Sequence, residues 1–586
     1  MEVSMENNDK GSQQIRSKRG GFRTMPFIIL NETLEKVTNV GLHVNMMFYL
    51  MTEYHYDAAT GSIIIFLWNA LSHFMPTLGA FLSDSYFGRF RVIMCGTLFE
   101  LLGVIVLWLT AIIHNARPPH CNLYTEACAT PSTGQVLFLL SSLVLMAIGA
   151  GGIKPCSLAF SADQFNNPEN LNNERIMKSF FNWYYVSVGV SVALSVTVIV
   201  YIQIKTGWVV GFGITVGLML FSTFMFFLGS PLYIKTKAEK SLLTGLLQSV
   251  VAVWKNRHVP LPPNGSADWH FMEGAKLVEP THKLRFLNKA CIIKNRVKDL
   301  DSNGKPINPW NLRTVRQVEE LKILIKVIPI WSTSFIVSII ISQYTFLVVQ
   351  AGTMNRHIIF NFEIPAPNLT VFPIISMTIW ITIYDRVLVP LLSKSKHSRI
   401  RRGFTLKQRM GIGLALTVIA IAIASQVERK RRSLAIEERL VGNPKGVVNM
   451  SVWWLVPQLC ITGLAEGFNI TAQIEFYYTH FPKTMSSVAM PFFYAGWGIG
   501  NVLGSVIVKT VKVVTERRGR NSWLASSPNN SHYDYYYGLL TILGVINLLY
   551  FFVCIWTYET TQDVENWDDE FESNSQSNKE VDPRRN

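Results

Sequence analysis

Charge is scarce in this chain. Asp, Glu, Lys and Arg make up 16% of its 586 residues, against 49% apolar. Soluble domains carry roughly 25% charged residues, so a string of ordinary soluble domains is excluded. Acidic residues are the scarcer sign, 39 against 54 Lys and Arg, which leaves a net charge of +15. In a soluble protein that excess would point to nucleic acid. Here the basic residues sit in the head and in loops between apolar stretches, so no nucleic-acid partner is expected. The seven cysteines show no metal-ligand spacing, and no metal site is expected. Cys95, Cys156, Cys460 and Cys554 fall in apolar stretches and read as small packed residues. Cys121 and Cys128 share one polar loop and could pair if that loop faces an oxidising compartment. Phosphate loops, HExxH, nucleophile elbows and post-strand dinucleotide fingerprints are all missing, so neither enzyme chemistry nor a cofactor is expected. The first 24 residues are polar and lack the apolar centre of a signal peptide, which makes them an expected disordered head.

What the chain has in abundance is long apolar runs. By the rule that about 20 apolar residues cross a bilayer, twelve spans are expected. The first six lie near 26–51, 59–83, 91–113, 134–161, 178–204 and 207–234. The second six lie near 317–350, 369–394, 404–426, 450–479, 486–512 and 534–557. The expected fold is therefore all-α and membrane-embedded, with twelve transmembrane helices in two six-helix bundles. The bundles occupy 25–234 and 317–557, between a head (1–24), a linker (235–316) and an acidic disordered tail (558–586). Within the linker, Leu242, Leu243, Leu246, Leu247, Val250, Val251 and Trp254 recur at helical spacing and predict an interfacial amphipathic helix.

An even number of spans puts both termini on one side. Arg89 and Arg91, the basic linker and the cluster from Lys394 to Arg402 mark that side as cytoplasmic. Two groups disagree: Arg429–Arg432 after span nine, and Lys509, Lys512, Arg517, Arg518 and Arg520 around the end of span eleven. Sequons at Asn368, Asn449 and Asn529 fall in expected outer loops and are candidate glycosylation sites.

A few polar residues interrupt the apolar runs. The stretch NETLEKVTNVG (Asn31–Gly41) puts Glu32, Glu35 and Lys36 on one helical face. A lone ion at bilayer depth costs roughly 2.5–3.5 kcal/mol on insertion scales, so such groups face a bundle interior or a water-filled path. Lys154 in span four and Glu466 in span ten hold equivalent places in the two halves. They suggest either an ion pair that opens and closes between conformations or a fixed buried salt bridge. Gln343, Tyr344 and Thr345 in span seven suit either solute contact or helix–helix hydrogen bonding. His43 and His73 read as packed polar residues, and Glu100 has no partner evident in sequence. Glu475 could bind Lys483. The glycines of GAGGIK, inside an apolar helix, suit close helix packing rather than phosphate binding.

With these residues assembled, the chain resembles the plant branch of the proton-coupled oligopeptide and nitrate transporter family, in the major facilitator superfamily. GAFLSDSYFGRFR (Gly79–Arg91), with Asp84, Gly88 and Arg89, is similar to the superfamily's loop motif between helices two and three. GGIKPCSLAFSADQF (Gly151–Phe165), SFFNWYYVSVGV (Ser179–Val190), YDRVLVP (Tyr384–Pro390) and VPQLCITGLAEGF (Val456–Phe468) are similar to family signatures. The resemblance implies that Glu32, Glu35 and Lys36 form the ExxE[R/K] proton-coupling motif. It makes Lys154 and Glu466 the gating or substrate-binding pair, while Gln343 and Thr345 are further candidate contacts on their polar character alone.

Two departures stand out. A nitrate-binding histidine of one member, two residues before a glutamine, corresponds to Ile341 here, and its regulatory threonine corresponds to Val92. The expected function is proton-coupled nitrate import by alternating access. Small peptides or an organic-acid hormone are the alternatives, and a membrane solute sensor with little flux is the reading from another class. The expected partners are a small anionic solute, protons and the lipid bilayer. The expected location is the plasma membrane, with oligomeric state open.

Overall fold

The computed structural model describes residues 20–559 except 120–128, 166–172, 237–241, 263–269, 272–279, 302–303, 358–362, 394–403, 442, 444–445, 483–484, 517–521 and 526. Cys121 and Cys128, nearly all of the head and tail, and the basic residues 394–402 and 517–520 lie outside the described residues.

Among the described residues, twelve long helices follow one another. α1 is Met25–Thr52, α2 Ala58–Leu82, α3 Arg89–Ile112 and α4 Thr133–Phe165. α5 starts as Asn173–Leu194 and passes through a wide turn, Ser195–Ile199, into Val200–Thr206; α6 is Trp208–Leu228. After the linker, α7 comes in three pieces, Val315–Ser332, Ser334–Ile341 and Tyr344–Gly352. α8 is Val371–Ile383, continued through Tyr384–Leu388 to Val389–Ser393. α9 is Leu406–Glu437, α10 Val456–His480, α11 Ser486–Thr515 and α12 Tyr533–Glu559. Among the described residues ten of these are long and apolar enough to cross a bilayer. The other two, α1 and α10, are as long, and carry Glu32, Glu35 and Lys36 (α1) and Glu466 (α10). The expected spans match these helices to within a few residues at most ends. The largest mismatch is at α9, which runs eleven residues past its expected end at 426.

Small residues set the closest approaches. Gly79 of α2 faces the backbone of Gly151 in α4, and Gly96 of α3 faces Gly149 and Gly152, so an added methyl would strike a neighbouring backbone. This is the packing role expected of the GAGGIK glycines. The two halves meet along α2 and α11, which run antiparallel: Phe66 lies against Gly504, Phe74 against Gly498, and Thr77 donates to the Pro491 carbonyl at 3.4 Å. One apolar core crosses this seam, joining Tyr49, Phe66 and Leu107 to Ile339, Phe346 and Tyr536.

On the face away from the linker, three of the four side chains of Arg429–Arg432, one of the groups that disagree with the charge rule, are engaged by the protein, and Arg429 is exposed. Arg431 and Glu428 form a fully buried pair at 2.7 Å. Arg431 also donates to Thr353 Oγ1 (3.1 Å), Asn529 Oδ1 (2.7 Å) and the Pro528 carbonyl (2.8 Å). Arg432 donates to the Ser531 carbonyl at 3.0 Å, and the Lys430 ammonium sits 4.0 Å from the centre of the Trp454 ring. These side chains neutralise one another or fold against the protein, so they carry little topological signal. Asn529 is buried, and its Nδ2 donates to the carbonyls of Gly446 (3.0 Å) and Asn443 (3.3 Å). That amide is committed to folding and unavailable to a glycan. Asn368 is half-buried and Asn449 exposed.

In the linker, Leu242–Lys255 is the helix that its periodicity predicts. Leu246, Ala252 and Val253 join a small core with Leu287, Cys291, Val315 and Leu321, while Leu247, Val250 and Trp254 stay exposed. The linker is tied to α7 by a capping box at Thr314–Gln317. A buried knot adds to this: Lys322 Nζ lies 2.7 Å from Glu319 Oε1, and both residues bond Thr281.

Candidate functional site

The charges of α1 come together as their spacing requires. Lys36 Nζ lies 3.2 Å from Glu32 Oε1 and 2.8 Å from Glu35 Oε2. Both carboxylates are buried, while the Lys36 side chain keeps 20% exposure. α5 closes one side: Ser195 Oγ donates to the Val37 carbonyl at 3.1 Å, and Tyr184 stands beside Glu32. Glu35 Oε1 has no hydrogen-bond partner among the described residues.

Two more charges complete the cluster. Glu100 of α3 is buried, and Asn39, one turn beyond Lys36, donates to its Oε1 at 3.3 Å. Lys154 of α4 has Lys36, Glu35, Glu100 and Glu32 as its charged neighbours. Three carboxylates therefore face two ammonium groups. With all ionised, the cluster carries one net negative charge, which a single proton would cancel.

Lys154 and Glu466 are not within the 4 Å of an ion pair in this conformation, and among the described residues Lys154 has no such partner. Lys154 stays with the α1 and α3 carboxylates. Glu466 lines a cavity of about 220 Å³ between α1, α7, α8, α9, α10 and α12. Gln343, at the break between the last two pieces of α7, also lines it. Its Nε2 donates to the Ile339 carbonyl at 2.6 Å, and its Oε1 has no partner among the described residues. Ile341 lines the same space, so an apolar group stands where the nitrate-binding histidine would be.

Thr345 lies away from the cavity. It is fully buried and its hydroxyl accepts from Ser62 Oγ at 3.0 Å, a bond between the two halves. His43, a packed polar residue by sequence, lines the cavity. Its Nδ1 lies 3.0 Å from the Tyr344 hydroxyl and its Nε2 contacts Asn69 Oδ1. One tautomer serves both: the tyrosine donates to Nδ1, and Nε2–H donates to the amide oxygen. An i, i+8 relation to Glu35 was the only signal available for it.

At the loop motif, Gly88 has φ +77°, a left-handed conformation suited to glycine, and it starts α3. Arg89 Nη1 donates to both oxygens of Asp163 at 2.8 Å, and Asp84 accepts from Ser83 Oγ at 3.3 Å. The motif arginine thus locks the end of α4 to the start of α3. Glu475 binds Arg409 at 2.7 Å, with Lys483 outside the described residues. On the far side, Lys512 of α11 reaches Asp57 at the start of α2 at 2.9 Å, and Arg117 pairs with Glu53.

A family model described as the POT family (PTR2) matches residues 90–524. The relative called Protein NRT1/PTR FAMILY 1.1 from Arabidopsis thaliana is 46% identical, and NRT1/PTR FAMILY 1.2 from the same plant 44%. Each alignment covers 94% of this chain and 93% of the relative. Among solved structures, the POT family transporter PepTSo superposes with TM-score 0.67 at 18% identity, over 92% of this chain and 99% of that one. The peptide transporter POT in complex with sulfate gives TM-score 0.61 at 14% identity, over 93% and 97%.

Proposed function

We propose, from the premise that the chain belongs to the POT family of membrane transporters, that it imports nitrate together with protons. The location would be a plant plasma membrane, with both termini cytoplasmic and with alternating access between the two halves. The observation that carries this reading is the buried cluster of Glu32, Glu35, Glu100, Lys36 and Lys154. Its charge is one proton short of balance, and Lys154 has no dedicated partner among the described residues.

A proton from the outer side would add to a carboxylate of α1 and weaken its hold on Lys36. Unit charges about 4 Å apart interact by roughly 4 kcal/mol at an effective dielectric of about 20, enough to make that release consequential. The freed ammonium groups would then attract an anion, and rearrangement of the halves would deliver anion and protons inward. Moving one net charge across about 100 mV is worth about 2.3 kcal/mol, so uptake with surplus protons would be driven by voltage.

A second reading has its own support. The cavity beside Glu466 is lined mainly by residues such as Val44, Ile340, Leu347 and Leu459, with no Lys or Arg among them. Such walls suit a small peptide or an organic acid with an apolar body better than a bare inorganic anion. Uptake of labelled nitrate, a dipeptide and a hydrophobic organic acid, measured at acidic and near-neutral external pH, separates the two. Acid-stimulated nitrate uptake is the expected result; acid-stimulated uptake of only an organic solute would overturn the nitrate assignment.

A further inference from the structure

Glu100 is a buried carboxylate that neither the α1 motif nor the Lys154–Glu466 pairing uses. It is 1% exposed, and α4 presses on it so closely that a methyl at Gly149 would lie 2.5 Å from its Cβ. Its Oε1 accepts one long bond from Asn39, and its Oε2 has no partner among the described residues. A carboxylate kept for structure alone would be expected to have both oxygens satisfied, because an unmet buried acceptor costs about 1–3 kcal/mol. The charged groups facing it are Glu35 and Lys36 of α1 and Lys154 of α4. α6, its other long neighbour, has no titratable side chain in Trp208–Leu228.

Charge balance assigns the role. With an anion added to three carboxylates and two ammonium groups, the cluster reaches two net negative charges. One proton on α1 leaves one charge uncancelled. We propose that Glu100 is the second proton acceptor of the transport cycle, reached from the α1 cluster that faces it. This rests on the proton-coupling reading above. In the loaded state an O–H bond forms at a Glu100 carboxylate oxygen, with the proton drawn from the compartment that also loads α1. When the anion leaves and Lys154 turns back to the carboxylates, that bond breaks and the proton leaves to the opposite side.

The test is infrared difference spectroscopy, acidic minus near-neutral pH, on the purified full-length chain in lipid. Wild type should gain protonated-carboxyl absorbance in two components, Glu100→Gln should lose one, and Glu35→Gln should lose the other. A Glu100→Gln spectrum identical to wild type overturns the proposal. An unchanged Glu35→Gln spectrum counts instead against the reading it rests on. If Glu100→Gln does not fold, Asn39→Leu serves. Loss of a donor to the charged form raises proton affinity, so one component's midpoint must move to higher pH, and no movement overturns the assignment. In cells given nitrate, the charge carried per nitrate should fall from about one to about zero in Glu100→Gln, because one of two protons no longer travels.

Discussion

Lys36 touches two carboxylates and is the side chain on which the α1 cluster turns. Replacing it with glutamine removes the ammonium that pairs with both Glu32 and Glu35. Solute accumulation driven by a pH gradient should therefore fall in Lys36→Gln, as read from uptake into liposomes with and without the gradient. Lys154→Gln should act differently. It leaves the α1 pairs intact but removes an ammonium that has no ion-pair partner among the described residues, so the expected effect is a raised KM for nitrate. Glu32 and Lys36 were legible as a pair because i, i+4 spacing is local. Glu100 was visible as an intramembrane acid, but its partner was not: Asn39 lies 61 positions away, and only the packing of α3 on α1 joins them. The same limit applied to Arg89, whose partner Asp163 lies 74 positions away.

Among the elements, α9 was the hardest to read. Its apolar run stops near 426 while the helix continues to Glu437, because Glu428 and Arg431 satisfy each other inside the protein. Arg431→Met should leave Glu428 buried and unpaired and destabilise the fold by about 3–5 kcal/mol. The check is the thermal midpoint in detergent, with the Arg431→Met, Glu428→Leu double variant recovering most of the loss. Asn529→Gln should also be destabilising and should produce no change in glycan-dependent gel mobility, because the amide already serves two carbonyls. In the linker, burial pushes the Cys291 thiol up to about 12. The thiolate is the nucleophile, so at neutral pH Cys291 should resist maleimide until the linker core opens. A variant retaining only that cysteine gives the measurement. The linker helix was legible from its 3.6-residue periodicity. The division of its apolar residues between a small core and the exterior was not, since that depends on Leu287 and Leu321 arriving from elsewhere.

At the scale of the whole molecule, the twelve spans were readable because a bilayer demands length and apolarity from each helix separately. What joins the halves was not readable, since it lies between residues hundreds of positions apart: Ser62 with Thr345, Phe66 with Gly504, Asp57 with Lys512. The Asp57–Lys512 pair is partly exposed, 21% and 28%, so its worth is at most about 1 kcal/mol, or roughly fivefold in a two-state equilibrium. Asp57→Asn should open the far side by about that factor, read as faster labelling of a cysteine placed beside Thr60, and Lys512→Gln should match it. The central claim is that the α1 carboxylates couple solute movement to protons. Its most direct test is Glu35→Gln reconstituted in liposomes, comparing solute counterflow with accumulation driven by a pH gradient. The account predicts that counterflow persists while gradient-driven accumulation is lost. Accumulation equal to wild type would contradict it.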